Sequence, residues 1–226
     1  MADFVEFKEV RKKVKLFNIG KYKFSDIEIK HLTIAMIMII LSIFVHNYGL
    51  STLMSSFLSK EFFIMLGIYA LTIGTGFIFH ELGHKLVAQH YQFISEFRAD
   101  FQMLGIMFIM AVFLPILFLA PGAVMILGRP TIRQNGIISV AGPLVNLGLA
   151  IIFTFIALVF GTQGILGTIV MTGIIVNSFL GIFNMLPMWV LDGKKVWAWS
   201  KPVWTGVMLI LIIFLMIGYG NIPLLV

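Results

Sequence analysis

The residues that can do chemistry lie inside an otherwise apolar run, at His80-Glu81-Leu82-Gly83-His84. Two histidines four residues apart lie on one face of a helix and can both reach one ion. Glu81 is rotated about 100° from His80. It stands beside such an ion rather than on it, where a general base is needed. Neutral imidazole nitrogens suit zinc, whose catalytic sites keep one position open for water and bring that water's pKa to about 7. The plainer alternative is a pair of interfacial histidines, with Glu81 paired to Lys85 at i+4. A glutamate between two histidines in an apolar helix is costly without a metal, which favours the ion.

Two histidines leave zinc one protein ligand short. Eight of the ten acids lie in the N-terminal region or at the ends of apolar segments, and only Glu81 and Asp192 remain in apolar surroundings. A charge in a lipid-facing helix costs at least ~2.5–3.5 kcal/mol, so such residues mark function. His31 and His46 belong to the first apolar stretch, and His90 lies at a helix end. Asp192 is the better third ligand. Asp192-Gly193 follows a proline-containing, non-helical turn that suits a side chain aimed at a site. Its alternatives are the N-cap of the next segment, or a salt bridge to Lys194 or Lys195.

The elements that must position these residues are membrane helices. The chain has 226 residues, 60% apolar and 12% charged, with a mean hydropathy of +1.03. A soluble domain averages about 45–50% apolar. Lipid must be part of the solvent, and a soluble single-core domain, a disordered chain and a nucleic-acid binder are excluded. There is no cysteine, so thiolate metal sites are excluded too. Residues 1–30 hold eight of the sixteen basic residues and form a cytoplasmic N-terminal segment, read as a short amphipathic helix followed by a strand around Phe24–Ile29. No small-residue cleavage site follows the first apolar run, so it is a retained anchor and not a signal peptide. Apolar stretches at 32–47, 62–90, 102–127, 137–160, 165–191 and 203–219 mostly reach the ~20 residues a spanning helix needs. The expected fold is an all-α polytopic membrane protein with little β-structure. It has about five to six transmembrane helices and a re-entrant or hairpin segment. Residues 31–226 form a single membrane-embedded domain.

The stretch at 102–127 can cross as a helix, or enter the membrane region and return to the same side, packed against protein. Cytoplasmic loops carry the excess of Lys and Arg. With residues 1–30 inside and a re-entrant third stretch, fifteen of the sixteen basic residues lie inside, leaving only Lys60 outside. A crossing third stretch lowers the inside count to about ten. The re-entrant path also puts two crossings between the histidines and Asp192, which is what brings them to one side.

Three segments taken together resemble the site-2 proteases, a family of intramembrane zinc metalloproteases. They are Phe79–His84, then Ala141-Gly142-Pro143-Leu144-Val145-Asn146, then Phe183–Gly193 with its Asn184, Pro187 and Leu191-Asp192-Gly193. The resemblance implies one zinc per chain held by His80, His84 and Asp192, with Glu81 as the base. It also implies a site inside the membrane, toward the cytosol, that cuts the transmembrane or juxtamembrane part of single-pass substrates. Where the family commonly has further prolines, this chain has Met188-Trp189-Val190. Asn146 and Asn184 are amides in apolar segments that can bind substrate backbone or an oxyanion, or else form interhelical hydrogen bonds.

The expected function is therefore an intramembrane zinc endopeptidase of the cell membrane, with the N-terminus and the active-site side cytoplasmic. Its partners are membrane-spanning protein substrates and the lipid bilayer. A substrate helix must unwind to be cut, pairing as a strand with an edge in the 93–101 or 121–127 region. The competing functions are a scaffold of the same fold that binds membrane segments without cutting them, and a proton-coupled transporter using an acid–histidine relay.

Overall fold

The structure is a computed structural model that describes residues 15–57, 59–114 and 121–220. It opens with an antiparallel hairpin, β1 (Leu16–Ile19) and β2 (Tyr22–Ser25), turning at Gly20 with φ 59°. The Ser25 hydroxyl accepts from Glu28 N–H at 3.0 Å and caps α1 (Asp26–Tyr48), with Asp26 and Glu28 in the first turn. The strand expected over Phe24–Ile29 therefore ends at Ser25. A serine followed by acids starts a helix by satisfying its free N–H groups and its dipole. The amphipathic helix expected before the hairpin lies outside the described residues.

After a short α2 (Leu50–Ser56), α3 (Lys60–Tyr69) runs through a π turn (Ala70–Gly74) into α4 (Thr75–His90), which ends in the H-E-x-x-H segment and a further turn and a half. Then follow β3 (Ile94–Ala99), α5 (Phe101–Phe113), β4 (Gly122–Leu127) and α6 (Ile132–Phe160), which Thr131 and Gln134 open with a capping box. The described chain closes with α7 (Gly164–Asn184), α8 (Asp192–Trp199) and α9 (Lys201–Gly218). Five segments are long and apolar enough to cross a membrane: α1, the continuous α3–α4 segment, α6, α7 and α9. The protein is an all-α, multi-pass membrane protein with two small two-stranded sheets among its described residues.

The third apolar stretch starts and finishes at one place. β3 and β4 pair antiparallel from Ile94 opposite Leu127 to Ala99 opposite Gly122, and Asp100 N–H donates to the Pro121 carbonyl at 3.0 Å. The intervening α5 has 13 residues. That is about 20 Å of helix, short of the ~30 Å hydrocarbon core. The segment leaves the sheet and comes back to it, as the hairpin reading requires.

The sheet is tied to the helices by buried charge. Lys85 of α4 pairs with Glu28 of α1 and lies 4.3 Å from the Phe24 ring centre. The other Glu28 oxygen accepts from Phe97 N–H of β3 at 2.9 Å, and Ser25 donates to Glu96. Sequence analysis counted Glu28 with the water-facing N-terminal acids, but it is fully buried. Lys85 is equally enclosed, and an ammonium in that position needs a carboxylate. Lys85→Met leaves Glu28 buried and uncompensated, and breaking such a pair costs about 3–5 kcal/mol. Reversible unfolding in bicelles should show that loss, and Glu28→Gln/Lys85→Met should regain most of it. Equal stability of Lys85→Met and wild type would show that the pair does not hold the sheet.

Candidate metal centre

The centre is built where α4 and α6 run antiparallel in close contact. On α6, Ile138, Gly142 and Asn146 recur every four residues and so share one face. His84 Nδ1–H donates to the Ile138 carbonyl at 2.8 Å, and His80 Nδ1–H donates to Asn146 Oδ1 at 2.6 Å. Gly142 lies between these two contacts. A Cβ there would fall 2.5 Å from His84 Nε2 and 2.6 Å from His80 Nε2. A Cβ on Gly83 would in turn lie 3.0 Å from Val145 and 3.1 Å from the Ala141 carbonyl. Each helix thus keeps a glycine where the other comes closest. Pro143, inside α6, removes the helical hydrogen bond to Ser139, in the same turn where Ile138 turns its carbonyl to His84.

These outward bonds fix the histidine tautomers. Both acceptors are oxygens, so both Nδ1 atoms carry hydrogen and both Nε2 lone pairs face inward. The two Nε2 atoms are 3.0 Å apart, and Asp192 Oδ2 lies 3.5 Å from His80 Nε2 and 3.0 Å from His84 Nε2. All three residues are buried. Three such acceptors repel one another unless a cation joins them. A tetrahedral zinc bound at about 2.0–2.1 Å sets its ligand atoms about 3.3 Å apart, a spacing the three measured edges bracket. The donor set fits zinc on geometry and on chemistry.

Asp192 arrives by a tight turn. α7 ends at Asn184, and Pro187 prevents it from continuing. Trp189 takes a left-handed φ of 49°. Trp204 Nε1–H donates to the Met185 carbonyl at 2.6 Å, and Gly193 packs against that carbonyl with no space for a side chain. Leu191, not Asp192, is the N-cap of α8, which frees the Asp192 carboxylate for the histidines. Its second oxygen, Oδ1, lies 3.4 Å from Lys195 Nζ, so the salt bridge weighed for Asp192 also forms.

The three ligand candidates open onto a cavity of about 150 Å³. Glu81 lines it, as do Asn184 and Lys195, while Phe77, Leu180 and Val124 of β4 supply apolar wall. Asn146 takes the other course weighed for it. It is fully buried behind His80, with its NH2 donating to the Gly76 carbonyl at 3.2 Å and to Asn177 Oδ1 at 3.0 Å. Asn177 was missed by sequence analysis. The available signal was an amide in the middle of an apolar stretch, the same signal that singled out Asn146 and Asn184.

Fold and centre together define a multi-pass membrane protein with the buried His, His and Asp donor set of a zinc hydrolase. A protein of Methanocaldococcus jannaschii named "Putative zinc metalloprotease MJ0611" is 39% identical to this chain over 193 residues. The match covers 84% of this chain and 94% of that protein. The chain belongs to the same zinc metalloprotease family. No family model matches the chain, and no solved structure matches it.

The glycine at 142 can be tested against another in the same helix. Gly142→Ala should weaken zinc binding by ~10-fold or more, the lower range for losing an orienting contact, because the methyl group would meet both Nε2 atoms. Gly148→Ala, with no atom within 4 Å of the new Cβ, should leave it unchanged. Titration of zinc into the two purified variants makes the comparison. Equal affinity would mean that α4 and α6 do not constrain the imidazoles.

Proposed function

We propose that this protein is an intramembrane zinc endopeptidase of the site-2 protease type, hydrolysing peptide bonds within or next to transmembrane segments of membrane-anchored proteins. The observation that carries the proposal is the inward convergence of His80 Nε2, His84 Nε2 and Asp192 Oδ2, with both histidines on a segment long enough to span a bilayer and Glu81 on the same cavity. His80, His84 and Asp192 would hold one zinc. When bound there, zinc supplies a Lewis acid and a water that is nucleophilic near neutral pH. Glu81 takes the proton of the attacking water as its oxygen bonds to the scissile carbonyl carbon. It then delivers that proton to the amide nitrogen as the carbon–nitrogen bond breaks. Asn184 lines the cavity wall with its Nδ2–H donating to the Leu180 carbonyl at 3.0 Å, and its oxygen would accept from substrate backbone.

A helical substrate offers no free peptide groups, so it must extend before it is cut. β4 lends one edge to β3 and lines the cavity with Gly122, Ala123 and Val124. An unwound substrate pairs with β4 along its other edge. The pairing of β3 with β4, at the two ends of the third apolar stretch, supports the charge pattern in which the N-terminus and the metal centre face the cytoplasm.

Glu81→Gln should fold and bind zinc nearly as wild type, while turnover of a transmembrane substrate falls by at least ~10²-fold. His80→Ala and Asp192→Ala should lose most of the metal together with activity. Cleavage by Glu81→Gln at close to the wild-type rate would remove Glu81 as the base. Cysteines placed at Arg133 and Lys195 should both react with an impermeant thiol reagent from the cytoplasmic side only. Labelling from opposite sides would overturn the topology.

A further inference from the structure

Behind the metal centre, on the side away from the cavity, α4, α6 and α7 meet at a polar contact that the proposed reaction does not use. Asn177 of α7 is fully buried, as is Asn146 of α6. Asn177 Nδ2–H donates to the Gly173 carbonyl at 2.9 Å, so its Oδ1 faces α6 and accepts from Asn146 Nδ2–H at 3.0 Å. Gly76 leaves room for this amide, since a Cβ there would fall 2.6 Å from Asn177 Oδ1. The second hydrogen of the Asn146 NH2 goes to the Gly76 carbonyl.

An amide side chain can turn over and exchange its oxygen for its NH2. Asn146 is held against that exchange by acceptors on its nitrogen side, and the only one supplied by a side chain is Asn177 Oδ1. With Asn146 so fixed, an oxygen faces His80 Nδ1 at 2.6 Å. His80 must then carry its hydrogen on Nδ1 and leave Nε2 bare. Turned over, Asn146 would offer N–H to Nδ1, and the hydrogen would move to Nε2, where it blocks a metal.

The geometry points to Asn177 as a positioning residue that selects the metal-binding tautomer of His80 through Asn146. This rests on the reading that His80 is a zinc ligand, and it adds a residue from a third helix that touches neither metal nor substrate. The relay is directional: the Gly173 carbonyl orients Asn177, Asn177 orients Asn146, and Asn146 orients His80.

The test compares Asn177→Leu, which removes the acceptor, with Asn177→Asp, which keeps an oxygen toward Asn146 at nearly the same volume. Both are made in the full chain in nanodiscs, with Asn177→Ala in place of the leucine variant if that one does not fold. Zinc affinity is measured by titration with zinc alone. The His80 tautomer is read from the ring nitrogen shifts of metal-free protein labelled with 15N-histidine. Asn177→Leu should bind zinc ~10–100-fold more weakly, as for other losses of an orienting partner, and should shift His80 from the Nδ1–H to the Nε2–H form. Asn177→Asp should keep wild-type affinity and the Nδ1–H form. Unchanged affinity and tautomer in Asn177→Leu would overturn the inference. So would an equal loss in both variants, which would mark packing and not the acceptor. If wild type binds no zinc, the metalloprotease reading fails, while the tautomer comparison still decides the role of Asn177.

Discussion

Two imidazole lone pairs and a carboxylate oxygen, buried and each within 3.5 Å of the others, repel one another unless a cation lies between them. That constraint orders the architecture around it. The lone pairs point inward only because the opposite ring nitrogens donate outward, to the Ile138 carbonyl and to Asn146. Those acceptors are in reach only because α6 approaches α4 closely enough to leave no space for a side chain at Gly142. The Ala141-Gly142-Pro143-Leu144-Val145-Asn146 segment thus contributes a glycine, an opened turn and an amide to one contact. Removing any of them changes the direction in which an imidazole presents its electrons.

Among the described residues, the buried charged groups fall into two sets on different sides of α4. One set joins Glu28, Lys85, Ser25, Glu96 and Arg98, whose guanidinium pairs with Glu96 at 3.0 Å, and binds the N-terminal hairpin and β3 to the helices. It satisfies its own charge internally, as a structural group should. The other set joins His80, Glu81, His84 and Asp192, and faces a cavity. It is satisfied only when something binds. His84 and Lys85 are consecutive, so one turn of helix serves both anchoring and chemistry.

The ligand candidates were legible because they break a rule: an acid or a histidine pair in an apolar run is conspicuous against its neighbours. Asp192 was reachable by elimination, since so few charges remain once the ends of the segments are set aside. The five long helices and the returning third stretch were legible from hydropathy and from the distribution of Lys and Arg. Glu28 was misread because it stands among charged residues in the sequence, and its burial against Lys85 depends on a contact across 57 positions. The strand expected at Phe24–Ile29 was run four residues past its end because Ser25 reads as easily within a strand as at a helix cap. Asn177 was passed over because it lies outside the three segments that carry the resemblance, and its meaning comes only from Asn146 and Gly76 on neighbouring helices. Short-range chemistry is written in the local sequence; a partner supplied by another helix is not.

The π turn at Ala70–Gly74 sits in the long α3–α4 segment, two turns before the histidines. A π turn holds about one residue more than an α turn, and such turns arise as single-residue bulges. It acts as a phase shifter. The stripe of side chains that α3 turns toward lipid and the stripe that α4 turns toward α6 are offset by about 100° from a common helical register. The outer half of the segment can therefore change its lipid-facing pattern to suit a different bilayer without rotating the ligand-bearing half. A deletion of one residue within the turn would join the two registers into one, and would turn His80 and His84 away from Gly142 while every residue of the centre remained in place in the sequence.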